Sequence, residues 1–355
     1  MATMAGLSKR DAYKAGLNAL YFTGTHRLLA PFTQGLGAIL MLHRVAREPA
    51  RGFSPNAFLE ISPDYLIQVL EYLRAEDYDI VALDEVPGRL QNPDGRRFVA
   101  ITFDDGFRDN YEIAYPILKR YGAPFTVFVA SAFADRTIDL WWVALERIVA
   151  HSNELTVALH GRERSFECAR PADKMKTFDT LQKWLTMTAS EDEQRETIRR
   201  MAERADLDLA EMNAELAMTW GEIRELSDDP IATIGAHTVN HYAVARLDAD
   251  RAREEIIAGA DRIARMTGKR PEHFAYPYGS AMAAGPRDFE IVRDLGFKTA
   301  VTTRPGLLYG DHVDHMTALP RVSLNGEFQA IRYLDILLTG GPLALNNGFR
   351  RLNVA

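Results

Sequence analysis

Short apolar runs alternate with stretches of helical spacing along most of this chain. Residues 37–43 read as a buried strand that ends on a polar residue, His43. Residues 63–76 put Tyr65, Leu66, Val69, Leu70 and Leu73 on one stripe, the spacing of an amphipathic helix. A short strand is predicted at 80–83, and a stronger one at 97–103 runs straight into Asp104, Asp105 and Gly106. A helix over 111–121 is ended by Gly122 and Pro124, and 125–130 is again a strand. Strands alternating with helices imply a parallel sheet with crossover helices, an α/β fold. The rhythm breaks near residue 135. Residues 155–159 and 165–168 alternate around His160 and Gly161 as in a hairpin, and 174–207 is charged with a helical period. Residues 135–218 are therefore read as a helical and hairpin insertion that caps or flanks one end of a barrel. From Thr219 the alternation returns, with helices at 220–226, 249–268 and 288–296. Strands are predicted at 231–235, 273–277 and 298–302, and 319–322 precedes a last helix at 328–338. The organisation expected is an N-terminal helical segment (1–36), a main domain (37–325) and a C-terminal helix and tail (326–355).

Composition narrows the function classes. The 355 residues suit one α/β barrel with insertions, and 47% are hydrophobic, ample for a core. The formal net charge of −7 argues against a general nucleic-acid binder, which needs a basic face. Cys168 is the single cysteine, so no internal disulfide and no cysteine metal cluster can form. Any metal must be held by histidine and carboxylate. Lys9, Arg10, Lys14, His26 and Arg27 break up the N-terminus, which does not read as a signal peptide. The longest apolar run, 36–42, is far short of the ~20 residues needed to span a bilayer. A cytoplasmic or peripherally membrane-associated protein is expected. Residues 7–33 form an amphipathic helix, either packed on the domain or touching a membrane surface.

The chemistry is expected at strand ends, where loops of parallel α/β folds gather. Adjacent carboxylates repel, so Asp104 and Asp105 need a cation or donors nearby if buried. Successive side chains of an extended segment diverge, so one can bind a metal while its neighbour faces a water. An Asx turn capping the next helix is the structural alternative. His237 and His241, spaced i and i+4, would lie on one face of a helical turn with reach to one ion. No glutamate stands between them, which excludes the zinc metalloprotease arrangement. One carboxylate and two imidazoles leave positions open for water and substrate. A divalent metal there acidifies water and polarises a carbonyl, and a free carboxylate takes the proton, as in a hydrolase of amides or esters.

Thr102-Phe103-Asp104-Asp105-Gly106, His237-Thr238-Val239-Asn240-His241 and Ala275-Tyr276-Pro277-Tyr278-Gly279 resemble motifs of the NodB-homology polysaccharide deacetylases, carbohydrate esterase family 4. The likeness extends over roughly residues 37–132 and 219–325. It implies a distorted, incomplete (β/α) barrel that removes N- or O-acetyl groups from a glycan. It implies Asp104 as base, and Asp105, His237 and His241 as ligands of one divalent ion: Zn, with Co, Ni or Fe as alternatives. The backbone N–H of Tyr278 would serve the oxyanion. Two departures stand out. Ala275 occupies the family's arginine position, and Pro320 and Arg321 follow Leu319 where a late Leu-x-His motif carries the acid. Met41-Leu42-His43 is similar to the early histidine segment of poly-N-acetylglucosamine deacetylases. His43 is therefore the expected acid, beside the metal and across from Asp104, with a carboxylate or carbonyl behind it. Arg321 either replaces the missing arginine by pairing with Asp104 or makes a barrel-end salt bridge. Trp141 and Trp142 are read as insertion core rather than a sugar platform, and His312 and His315 as part of a solvated loop with Asp311 and Asp314. The expected partner is an N-acetylated glycan, with no nucleic acid; the oligomeric state is left open. The competing readings are an allantoinase-like amide hydrolase and a carbohydrate-binding homologue.

Overall fold

The computed structural model describes residues 9–48, 52–92 and 95–354. Two helices, α1 (Lys9–Phe22) and α2 (Thr25–Thr33), lead into β1 (Gly37–Leu42). The short strands β2 (Arg44–Val45) and β3 (Glu60–Ile61) pair with each other, and α3 (Pro63–Ala75), β4 (Asp79–Val81), α4 (Val86–Gln91), β5 (Phe98–Phe103), α5 (Tyr115–Tyr121) and β6 (Phe125–Val129) follow. Then come α6 (Ser131–Ala134), α7 (Trp141–His151), the hairpin β7 (Glu154–Leu159) and β8 (Arg162–Glu167), α8 (Pro171–Met187), α9 (Glu191–Arg204) and α10 (Leu209–Leu216). The last stretch contains α11 (Trp220–Asp228), β9 (Ala232–Ala236), α12 (Ala249–Thr267), β10 (His273–Ala275), α13 (Pro286–Asp294), β11 (Thr299–Pro305), β12 (Leu319–Ser323), α14 (Ile331–Leu338) and α15 (Gly341–Asn346).

Seven parallel strands close into a barrel in the order β1-β12-β11-β10-β9-β6-β5, because β1 hydrogen-bonds to β12 on one edge and to β5 on the other. The opposite edge of β5 is shared. Its first half, Phe98 to Ala100, pairs with β4, and its second half, Ile101 to Phe103, pairs with β6. The barrel is thus one strand short of eight, and β4 enters it as a half-length wedge. Two separate apolar layers explain why the strands read as unbroken apolar runs. Ile39, Phe98, Ala100, Phe128, Ala275, Val301 and Leu319 fill the interior, joined by Val81, Leu83, Val86 and Leu90 from the wedge and α4. Their strand neighbours, such as Leu40, Val99 and Ile101, pack against the surrounding helices.

Several sequence expectations change in detail. The helix expected over 7–33 is two helices, broken at Thr23 and Gly24; residues 7 and 8 lie outside the described residues. The helical stretch 174–207 is split by a new start at Ser190, whose side chain accepts from the Glu193 N–H while Glu193 reaches back, a capping box. The hairpin's second strand begins earlier than expected, at Arg162, because His160 (φ 54°) and Gly161 (φ 72°) make a tight two-residue turn. Helices α7, α10 and α15 were not anticipated. The last predicted helix begins at Ile331, after a 3-10 turn over Gly326–Phe328.

Candidate active site

Residues 98, 100, 102 and 104 share one face of β5 and its extension, so Asp104 continues the inward row above Phe98 and Ala100. Arg321 on β12 meets it there with two parallel bonds, Nη1 to Oδ1 at 2.7 Å and Nη2 to Oδ2 at 2.5 Å. The rest of the guanidinium is held too: Nε donates to the Thr302 carbonyl at 2.8 Å and Nη1 to Thr102 Oγ1 at 3.1 Å. Both side chains are buried. Burial alone would raise the Asp104 pKa. The Arg321 charge and its two hydrogen bonds override that, and the carboxyl is held below the usual carboxylate range.

Asp105 leaves the strand at φ 75°, a left-handed conformation uncommon outside glycine, and its carboxylate diverges from Asp104. Its Oδ1 lies 3.4 Å from His237 Nε2 and 3.2 Å from His241 Nε2. The ligand-capable atoms of the three residues lie within 4.8 Å of one another, and all three are buried. A tetrahedral ion with bonds of 2.0–2.1 Å spaces its ligands about 3.3 Å apart, so the trio fits a divalent cation. The His237 Nδ1–H donates to the Ala275 carbonyl at 2.7 Å, leaving the Nε2 lone pair aimed at Asp105. Burial lowers the His241 pKa to about 4, with Asp105 opposing the shift. The histidines are not on a helical turn as the i, i+4 spacing suggested. Residues 237–243 form a loop in which Thr238 (φ 61°) and His241 (φ 55°) turn left-handed, and the His241 N–H donates to Thr238 Oγ1 at 2.9 Å.

His43 follows β1, and its Nε2 stands 4.0 Å from Asp104 Oδ2. It is therefore a neighbour of Asp104 rather than across from it. No carboxylate or carbonyl hydrogen-bonds its ring among the described residues; its backbone carbonyl instead accepts from Asn110 Nδ2 at 2.8 Å. Tyr278, after β10, sits at φ 59°, and its N–H meets no acceptor among the described residues. Thr303 fixes this turn, its hydroxyl donating to the Tyr278 carbonyl at 2.6 Å. Trp141 and Trp142 are buried, as expected of core, but they also line the cavity: the Trp141 Nε1–H donates to the Tyr278 hydroxyl at 2.8 Å, and the Trp142 ring centres 5.0 Å from that of His241. The cavity, of about 300 Å³, gathers His43, Asp104, Asp105, His237, His241 and Tyr278, with Phe58, Leu59, Gln182 and Thr186 in its walls. His273 and His312 lie elsewhere. His312 is buried, not solvated, with its Nδ1 accepting the Tyr309 N–H at 3.0 Å.

Sequence reasoning missed the residues that hold the histidine loop. Arg195 of α9, buried, donates from Nη2 to the Asn240 carbonyl at 2.9 Å and lies 3.4 Å from that of His241. From the other side, Glu255 of α12 accepts the Asn240 N–H at 2.9 Å and its side-chain amide at 2.5 Å. Gly259 lets α12 come this close: a Cβ there would lie 2.7 Å from the Thr238 carbonyl carbon. Arg246, at the end of the loop, bonds back to the Thr186 carbonyl at 2.9 Å and lies 3.2 Å from the buried Glu191. A usable signal existed in α9. Glu191, Arg195, Ile198 and Ala202 share one helical stripe, so Arg195 falls on the buried face of an otherwise charged helix.

The sequence profile of the polysaccharide deacetylase family matches residues 91–300, well over half of the chain. The chain belongs to the polysaccharide deacetylase family. A Bacillus subtilis (strain 168) protein of the family, YxkH, is 32% identical over 89 residues, 23% of this chain, and the match covers only about a third (32%) of that protein's length. Among solved structures, the Streptococcus pyogenes deacetylase PplD, in complex with acetate, superposes with a TM-score of 0.54 at 20% identity, covering 84% of this chain and 97% of that one. A de-N-acetylase from Aggregatibacter actinomycetemcomitans gives 0.55 at 16% identity, over 84% and 99% of the two chains. IcaB from Ammonifex degensii gives 0.51 at 20% identity, over 86% and 97%. At these identities the structures share the deacetylase barrel fold with this chain. No helix of the described residues is long and apolar enough to cross a membrane.

Proposed function

We propose that this chain hydrolyses acetyl groups from an N-acetylated glycan, using one divalent cation held by Asp105, His237 and His241. The observation that carries the reading is the division of labour in the aspartate pair: Asp105 joins two imidazoles at 3.2–3.4 Å, while Asp104 is kept ionised and oriented by Arg321. Bound there, a cation such as Zn²⁺, Co²⁺, Ni²⁺ or Fe²⁺ supplies Lewis acidity, polarising the acetyl carbonyl and acidifying water. Asp104 takes the proton of the attacking water. The low pKa that Arg321 imposes makes it a weak base, which would suffice for a water that a bound cation had acidified. The unpartnered Tyr278 N–H donates to the carbonyl oxygen as negative charge builds on it. His43 protonates the departing nitrogen, because an amide anion is a very poor leaving group. Trp142 and Phe58 give the sugar apolar walls. In this reading residues 37–325 are the catalytic unit and 135–218 its cap, and Arg321 stands in for the arginine that Ala275 replaces. The early His43, similar to the histidine segment of poly-N-acetylglucosamine deacetylases, favours poly-N-acetylglucosamine or a chemically similar polymer. Acetate release from N-acetylglucosamine oligomers, measured with added Zn²⁺, Co²⁺ or Ni²⁺ and with chelator, tests the reading. Metal-dependent release is expected; no acetate with any metal would reject it.

A further inference from the structure

We propose that the two chain ends together form a docking face for an anionic lipid bilayer. Phe22, Leu28, Phe32, Leu345 and Phe349 are between 55% and 77% exposed, unusual for large apolar side chains. They come from α1, α2, α15 and the turn just after α15; the three helices lie side by side and enclose an apolar groove lined by Tyr13, Leu20 and Leu345. Leu28 and Phe32 stand four apart on α2, so they share its outer face, while His26 and Thr33 point inward. The C-terminal basic pair belongs to the same area: the Arg351 guanidinium lies over the Tyr309 ring, whose hydroxyl donates to the carbonyl of Thr33, next to Phe32.

Charge decides which occupant suits this face. Residues 9–33 and 339–354 carry six basic side chains (Lys9, Arg10, Lys14, Arg27, Arg350 and Arg351) and one acidic, Asp11. That is a net +5 in a chain of net −7, leaving −12 for everything else. Arg10 pairs with Glu327 and Arg27 leans toward Asp335, whereas Lys14 and Arg351 sit over aromatic rings. A second copy would bring positive charge against positive charge. An anionic membrane surface complements both the exposed aromatic and aliphatic groups and the basic residues around them. The inference is independent of the deacetylase reading, since it needs neither substrate nor metal.

Sedimentation of the full chain with phosphatidylcholine vesicles, with and without phosphatidylglycerol, tests it. Binding is expected to the anionic vesicles and to weaken in about 0.5 M salt. The triple variant Phe22→Ser, Leu28→Ser, Phe32→Ser alters only exposed positions and should bind at least about tenfold more weakly. Arg350→Gln with Arg351→Gln should lose the preference for anionic lipid while folding normally by circular dichroism. Absence of sedimentation with either vesicle would overturn the proposal, as would a triple variant that binds undiminished. So would a wild-type dimer that the triple variant dissociates and that ignores vesicles, which would make the face a contact between copies.

Discussion

At the carboxyl end of the barrel, His237 lies 3.4 Å from the Asp105 carboxylate, and both side chains are buried. At the amino-terminal ends of β10 and β11, His273 lies 3.2 Å from the Asp84 carboxylate; the histidine is again buried, but Asp84 is 44% exposed. The ingredients match and the electrostatics do not. Asp84 and Glu272 both reach the flexible ammonium of Lys298, at 3.2 and 2.5 Å, and water screens what is left. At the carboxyl end the guanidinium of Arg321 is taken up by Asp104, so Asp105 faces two imidazoles in a buried site without a cationic side chain bonded to it. A buried charge of that kind calls for a counter-charge, and a divalent cation between Asp105 and the histidines would provide it. The same residue types therefore make a structural cluster at one end of the barrel and a candidate cation site at the other.

Substitutions should separate the two ends of the barrel, with effects that fall from the carboxyl end to the amino end. Asp104→Asn removes the base while keeping shape and should lower turnover by ~10²–10⁴-fold with metal content unchanged. Near-normal turnover would place the base elsewhere. His43→Ala should cost ~10²-fold on N-acetyl substrates and less on acetate esters, whose alkoxide leaves more readily, again with metal retained. Equal losses on both substrates would remove His43 from the acid role. Arg195→Leu frees the Asn240 and His241 carbonyls and should weaken metal affinity by ~10–100-fold in competition with a chelator, with Arg195→Lys recovering part of it. An unchanged affinity would mean that α9 only packs on the loop. At the amino end the effect is smallest and concerns stability alone. The His273 imidazole 3.2 Å away, with help from Lys298, lowers the Asp84 pKa to about 2 despite partial burial. A depressed carboxylate pKa stabilises the fold above its ordinary titration range and loses that contribution as pH falls toward 2. Asp84→Asn should flatten the acid limb of the stability curve by under ~1 kcal/mol, discounted for exposure, and leave turnover unchanged. A fall in turnover would mean the two ends are coupled.

The strand-end chemistry was legible because it depends on local pattern. An apolar run followed by Asp104 and Asp105, or leading to His237, marks the carboxyl end of a buried parallel strand wherever it closes in space. The Arg321–Asp104 pairing was among the sequence expectations for the same reason. What escaped was tertiary. The histidine loop uses left-handed Thr238 and His241 instead of a helical turn, a path held by Arg195 and Glu255 and given room by Gly259 of α12. Trp142 and Arg195 reach the site from the insertion, where no strand rhythm points at it. The half-length pairing of β4 depends on β6 taking over the same edge of β5, a register that no single segment encodes.

Deacetylation is proposed to depend on one cation held by Asp105, His237 and His241. Titrating Zn²⁺ into chelator-treated protein, while bound metal and acetate release from an N-acetylglucosamine oligomer are followed together, tests it most directly. One ion per chain is expected, with activity rising in step with occupancy, and neither binding nor activity in His241→Ala. Full acetate release from the metal-free protein, or tight binding undiminished in His241→Ala, would contradict it.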